Sequence, residues 1–186
     1  AASDYETKST YAFIASVTDG STTVNQNITI AVVDTDEAPT FTSASSFTVN
    51  ENETSIGTLQ ATDPQNDTVT YSISTGFQDV TVDTSSGALS FKVAPDYETK
   101  TTYSIQVVAS DGTNSTSQII SISIANLNDN DPVRSSANSF SIYEGVTTIG
   151  VIEATDADGD TITYAISGTD ASSISVNSSS GALAFN

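Results

Sequence analysis

Apolar and polar residues alternate along this chain with a period of two, and that rhythm predicts strands. Tyr103, Ile105, Val107 and Ala109 fall on one side of such a run, and Ser104, Gln106 and Val108 on the other. Successive side chains of a strand point to opposite faces, so the run buries one face and turns the other outward. Ile120, Ile122 and Ile124 repeat the pattern, as do Val69, Tyr71 and Ile73, and later Ile162, Tyr164 and Ile166. Turn-forming pieces separate the runs: Ser85-Ser86-Gly87, Asp111-Gly112 and Asp158-Gly159. The pattern predicts strands near 46–50, 57–62, 68–74, 79–83, 88–92, 101–110 and 116–126. Thr, Ser and Val at the outward positions suit a pleated surface, and no segment has the periodicity of an amphipathic helix. The expected fold is all-β, a seven-stranded Greek-key sandwich of immunoglobulin-like type.

The chain also repeats itself. Asp4-Tyr5-Glu6-Thr7-Lys8 returns as Asp96-Tyr97-Glu98-Thr99-Lys100, Ala61-Thr62-Asp63 as Ala154-Thr155-Asp156, and Ser86-Gly87-Ala88-Leu89 as Ser180-Gly181-Ala182-Leu183. Pro39 and Pro132 mark the same point of two repeats, so the period is about 93 residues. Only residues 40–132 make a whole module; 1–39 read as the C-terminal half of one and 133–186 as the N-terminal half of another. Joining Leu183-Ala184-Phe185-Asn186 to Ala1-Ala2-Ser3-Asp4 reproduces the spacing of 89–96. The expectation is one translational unit of a longer periodic object. It is either a window onto a tandem-repeat polypeptide or a subunit whose last half-module the next copy completes; an arbitrary boundary is the plain alternative.

Charge narrows the function. Four Lys plus Arg face 23 Asp plus Glu, a formal net charge of −19. Such a chain has almost no cations with which to displace counterions, so nucleic acid and anionic membranes are poor partners and cations are good ones. With no Cys and no His, a disulfide framework, thiolate or imidazole zinc ligation and the commonest general base are all excluded. No apolar stretch approaches a membrane span. A Ser nucleophile would lack a base. A carboxylate pair of glycosidase type would not recur with the modules as these acids do, so no enzyme is expected.

The acids are placed unevenly. Asp96 and Glu98 are two apart, as are Asp156 and Asp158, and Asn126-Leu127-Asn128-Asp129-Asn130-Asp131-Pro132 occupies a module boundary. In extended chain an i, i+2 pair points to one face. Calcium takes six to eight oxygens from carboxylates, amides and backbone carbonyls, and such a boundary supplies them. Asp156-Ala157-Asp158-Gly159-Asp160 is no EF-hand loop, because the sixth position is Thr161 and the twelfth Ser167.

These residues resemble the cadherin repeat family over the whole chain. Asp96-Tyr97-Glu98 is similar to its acidic D-x-E element, Glu51 and Glu144 to its strand-end glutamate, and Leu127-Asn128-Asp129-Asn130-Asp131-Pro132 to its D-x-N-D-N-x-P linker. Asp156-Ala157-Asp158 is similar to its D-x-D element, and Asp19-Gly20 and Asp111-Gly112 to its late aspartate. The resemblance implies tandem sandwiches of the cadherin type with several Ca2+ ions at each junction, stiffening the modules into an extracellular rod.

Carried over by position, the resemblance gives the Pro132 junction Glu51, Asp96, Glu98 and Asp129, the Asn128 side chain, the Leu127 and Asn130 carbonyls, and Asp156 and Asp158. In the periodic reading Asp19 of the next unit completes it. The Pro39 junction takes Asp4, Glu6, Asp36, Asp63 and Asp111, with Glu144 of the previous unit. That junction departs from the pattern: Val33, Thr35, Glu37 and Gln65 replace Asp, Asn, Asn and Asp. Fewer or weaker ions are expected there. Thirteen of the 23 acidic residues are among these candidate ligands, so ligation accounts for most of the charge.

The expected function is a calcium-rigidified structural repeat, its partners being neighbouring modules or copies end to end. The alternative is a calcium-dependent cell-surface adhesin or polysaccharide-binding module whose partner is a surface protein or glycan. Five N-x-Ser/Thr sequons, at Asn27, Asn52, Asn66, Asn114 and Asn177, matter only where the source glycosylates.

Overall fold

The computed structural model describes residues 2–74 and 78–186. Ala1, part of the expected seam, lies outside the described residues. The chain divides into two units, one running to Pro95 and adding Thr102–Ser123, the other Asp96–Thr101 with Ile124–Asn186.

In the first unit β1 (Thr10–Thr18) and β2 (Thr23–Ala31) form an antiparallel hairpin with Phe13 opposite Ile28. There follow β3 (Thr40–Phe41), β4 (Ser46–Asn50), β5 (Ser55–Thr58), β6 (Ala61–Thr62), β7 (Thr70–Ile73), β8 (Val80–Val82), β9 (Ala88–Phe91), β10 (Thr102–Ser110) and β11 (Ser115–Ala125). One sheet has the order β4-β11-β10-β7, a second β5-β9-β8, and β3 pairs with β6. The seven expected strands are all present near their expected places. Of the two extra elements, β3 lies ahead of the first expected strand, and β6 arises because the expected strand 57–62 breaks between β5 and β6.

The alternation sets the core. Val49, Tyr71, Ile105, Val107, Ala109, Ile120 and Ile122 of the four-stranded sheet are buried, as are Ile56, Val80, Leu89 and Phe91 of the other. Phe91 and Tyr103 meet with ring centroids 4.8 Å apart.

Gly87 closes the β8–β9 turn at φ +73, where a Cβ would stand 2.5 Å from the Leu59 carbonyl oxygen. Gly87→Ala combines a left-handed backbone with a clash against backbone that cannot swing away. It is expected to cost about 2 kcal/mol or more, and a lowered urea midpoint at unchanged slope checks this.

The second unit carries β12 (Val133–Arg134), β13 (Thr148–Val151), β14 (Ala154–Thr155), a 3-10 turn at Ala171–Ser173, β15 (Ile174–Val176) and β16 (Ala182–Phe185). The β12-β14 ladder and the β13-β16-β15 sheet repeat β3-β6 and β5-β9-β8 at offsets of 93 and 94 residues. Residues 161–167, counterparts of β7, keep half-buried Ile162, Tyr164 and Ile166 but form no ladder. In the first unit β7 is a strand because β10 pairs with it.

The counterparts of β10 and β11 are β1 and β2, and their core faces are open. Phe13 is 50% exposed and Val17 74%, where Ile105 is 3% exposed and Ala109 fully buried.

Candidate metal centre

The two D-Y-E-T-K segments fold alike, so the repeat holds at the level of side chains. Asp4 Oδ1 accepts the Glu6 N–H at 3.1 Å and Oδ2 the Thr7 hydroxyl at 2.7 Å. Asp96 does the same with Glu98 and Thr99 at 3.1 and 2.7 Å. Each aspartate fixes a turn that presents the glutamate two residues on.

In the second unit Glu98, Asp129 and Asp158 bring carboxylate oxygens within 4.8 Å of one another. Asn130 organises them. Its backbone N–H donates to Asp158 Oδ2 at 2.8 Å, and its side-chain amide to Asp158 Oδ1 at 3.0 Å, to Asp129 Oδ1 at 2.8 Å and to Glu98 Oε2 at 3.4 Å. Asn126 holds the Asp158 carbonyl at 2.8 Å. The Asn130 side chain, aided by its backbone N–H, keeps the Asp158 carboxyl below its ordinary value of 3.8. Asp156, Asp158 and Asp160 form a second group with the same spacing limit, and Asp156 Oδ1 also accepts the Asp160 N–H at 3.2 Å. Leu127 and Asn128 are exposed on the same linker.

In the first unit the expected acids split into two sets. Asp63 and Asp111 each spend one oxygen on their own loop. Asp63 Oδ1 accepts the Gln65 and Asp67 N–H groups at 2.9 and 3.1 Å, and Asp111 Oδ1 those of Thr113 and Asn114 at 2.6 Å. The other oxygen of each, Oδ2, is buried without a hydrogen-bond partner. Asp36 is tied to the Asp111 loop through Asn114, whose amide donates to the Asp36 carbonyl at 3.0 Å and to its Oδ2 at 3.1 Å. Glu6 instead joins Asp34 and Glu37, with oxygens again within 4.8 Å. The Glu6 backbone N–H draws its carboxyl down, but desolvation, Asp4 and the charges of Asp34 and Glu37 together hold it above its ordinary value of 4.5.

Glu51 is buried, 1% exposed, just past β4. Its counterpart Glu144 is exposed. Asp19 is exposed and caps its own turn through the Ser21 and Thr22 N–H groups at 2.9 and 2.7 Å. Neither Glu144 nor Asp19 joins an acidic group among the described residues. Asp34, Asn114 and Asp160 were not expected. For Asp34 the signal was its place two residues before Asp36, and for Asp160 its place two after Asp158.

The orphaned oxygens test the cation. A buried carboxylate oxygen without a partner is costly. A hard ion that takes several oxygens answers that cost, and the all-oxygen donor set matches Ca2+ rather than a softer metal.

A profile of the cadherin domain matches residues 45–125. That stretch is a cadherin domain. Mouse protocadherin Fat 4 is 37% identical over 156 residues, covering 74% of this chain, and the human protein 40% identical over 135 residues, covering 64%. Each alignment takes in 3% of the relative's length. Mouse cadherin-23 EC22–24 has the same fold with a TM-score of 0.71 at 25% identity, over 98% of this chain and 66% of that one. The protocadherin gammaB7 EC3–6 cis-dimer structure gives 0.72 at 23% identity, over 98% and 51%, a likeness of fold. The sandwich of this cadherin domain is therefore the expected one, and the acidic groups lie outside the strands.

Acid should weaken the protein in chelator. The carboxyls of Asp4 and Asp96 are held low first by the Thr7 and Thr99 hydroxyls, those of Asp19 and Asp83 first by the Thr22 and Ser86 N–H groups, and that of Asp158 by Asn130. A carboxyl lower in the folded than in the unfolded state stabilises above its unfolded value and loses that contribution as pH falls through the folded one. Stability is thus expected to drop as pH is lowered through 3.8 and below. Glu6 runs the other way, its contribution present below 4.5 and lost as pH rises through its raised value. Urea unfolding at stepped pH reads the sum.

Proposed function

We propose that this chain is part of an extracellular array of tandem cadherin modules whose acidic groups bind Ca2+ and stiffen the array. The observation that carries the reading is the pair of orphaned oxygens on Asp63 and Asp111, beside the convergence of Glu98, Asp129 and Asp158. Asp4, Asp96, Asp36, Asp156, Glu51 and the linker residues Leu127, Asn128 and Asn130 are the remaining ligands we assign here. Glu144 serves the following repeat and Asp19 the preceding one. A bound divalent ion supplies positive charge. These residues provide oxygens already oriented by their turn hydrogen bonds, so little ordering cost is left for binding.

The domain reading goes with it: 40–132 is a whole module, and 1–39 and 133–186 are halves completed by neighbouring modules, in the same chain or in another copy. The open faces of Phe13, Val17 and Ile30 support it, because their counterparts are core residues. The role is mechanical rather than catalytic.

Small-angle scattering with and without chelator tests the stiffening. A narrow distance distribution in calcium that broadens in chelator is the expected result, and identical curves would contradict it. The protocadherin gammaB7 relative is described as a cis-dimer, which favours adhesion as the second reading. Binding to a surface protein or glycan array, with no change of stiffness, would place the chain there.

A further inference from the structure

The Glu6 group departs from the calcium pattern. Positions 63–65 and 156–158 correspond at an offset of 93, so Gln65 stands where the other repeat has Asp158. Both accept the backbone N–H of the linker residue, Glu37 or Asn130, but the direction of the side-chain hydrogen bonds is reversed between them. Asp158 accepts, from the Asn130 side chain and from the backbone N–H groups of Asn130 and Asp129. Gln65 donates: its Nε2 lies 3.1 Å from Glu6 Oε1, 3.2 Å from the Thr35 carbonyl and 3.5 Å from Asp34 Oδ1, and it also donates to Glu37 Oε2. Its own carbonyl accepts the Glu37 N–H at 3.3 Å.

Four oxygens therefore surround one amide nitrogen. Calcium bonds at 2.3–2.6 Å, so an ion drawing in the same oxygens must first displace that nitrogen. We propose that the Gln65 amide plugs the Glu6–Asp34–Glu37 group and holds it together in place of a cation, leaving calcium at this repeat to the Asp63 and Asp111 oxygens. The inference rests on the calcium reading above and sharpens it: one part of the repeat stays ordered without calcium while another depends on it. Glu37, which replaces a linker Asn, and Asp34 make sense as acceptors for this donor. Thr35 takes part through its backbone.

The test uses the full chain and two substitutions at one position, Gln65→Asp, which copies Asp158, and Gln65→Glu, which keeps the length of the side chain. Native mass spectrometry counts calcium per chain, and thermal unfolding is recorded in chelator and in calcium. Both variants should bind one more ion than the parent, melt lower than the parent in chelator and recover in calcium. Asp158→Asn, as a reference, should bind fewer ions. An unchanged count in both Gln65 variants, with the count reduced in Asp158→Asn, overturns the plug and leaves the calcium reading standing. No bound calcium in the parent or in any variant overturns the calcium reading and this inference with it.

Discussion

Raising free calcium from chelator levels to a thousandfold above its dissociation constant should stabilise the cadherin domain by about 4 kcal/mol for each independent ion. The reason is linkage: the ion binds oxygens that are gathered only in the folded chain. Asp63 and Asp111 sharpen the expectation, since each folds with a buried oxygen that has no hydrogen-bond partner. In chelator those oxygens cost stability, and in calcium they contribute it. Asp63→Asn should therefore lose most of the calcium-dependent gain yet change stability in chelator much less. Its Oδ1 bonds to the Gln65 and Asp67 N–H groups can be kept by an amide oxygen. Chemical denaturation across a calcium series reads both. Equal stability at all calcium concentrations would remove the linkage.

Ile120→Ala should cost about 3–4 kcal/mol, because Ile120 is fully buried in the cadherin domain and its removal leaves a cavity. Ile28 is its counterpart on the β1–β2 hairpin, opposite Phe13 as Ile120 is opposite Ile105. There Phe13 is half exposed, so Ile28→Ala should cost about 1 kcal/mol or less. The contrast tests the module boundaries as well as the core. If a second copy covers the hairpin face, the Ile28 cost should rise with protein concentration, which makes paired measurements at low and high concentration informative.

The strands were readable because a half-buried strand needs a period-2 pattern, and Tyr103, Ile105, Val107 and Ala109 carry it without interruption. The β3–β6 ladder is not legible in the sequence, since Thr40–Phe41 is too short to show alternation and Ala61–Thr62 reads only as the end of the strand 57–62. Ile162, Tyr164 and Ile166 show the opposite case: the pattern is present, but a strand also needs a partner. Among the acids, Glu98, Asp129 and Asp158 could be grouped from the repeat and its linker. The division of the Pro39 set could not. It depends on which oxygen of Asp63 caps the loop and which is left over. It depends equally on the Gln65 amide turning its nitrogen, not its oxygen, toward Glu6. By position alone Gln65 is only a missing carboxylate.

Equilibrium binding of calcium to the chelator-stripped chain tests the central claim most directly, with Asp63→Asn/Asp111→Asn as the comparison. The account predicts saturable calcium binding by the parent chain, weaker binding of magnesium, and loss of part of the calcium sites in the double variant. No saturable binding, or binding that the double variant leaves unchanged, would contradict it.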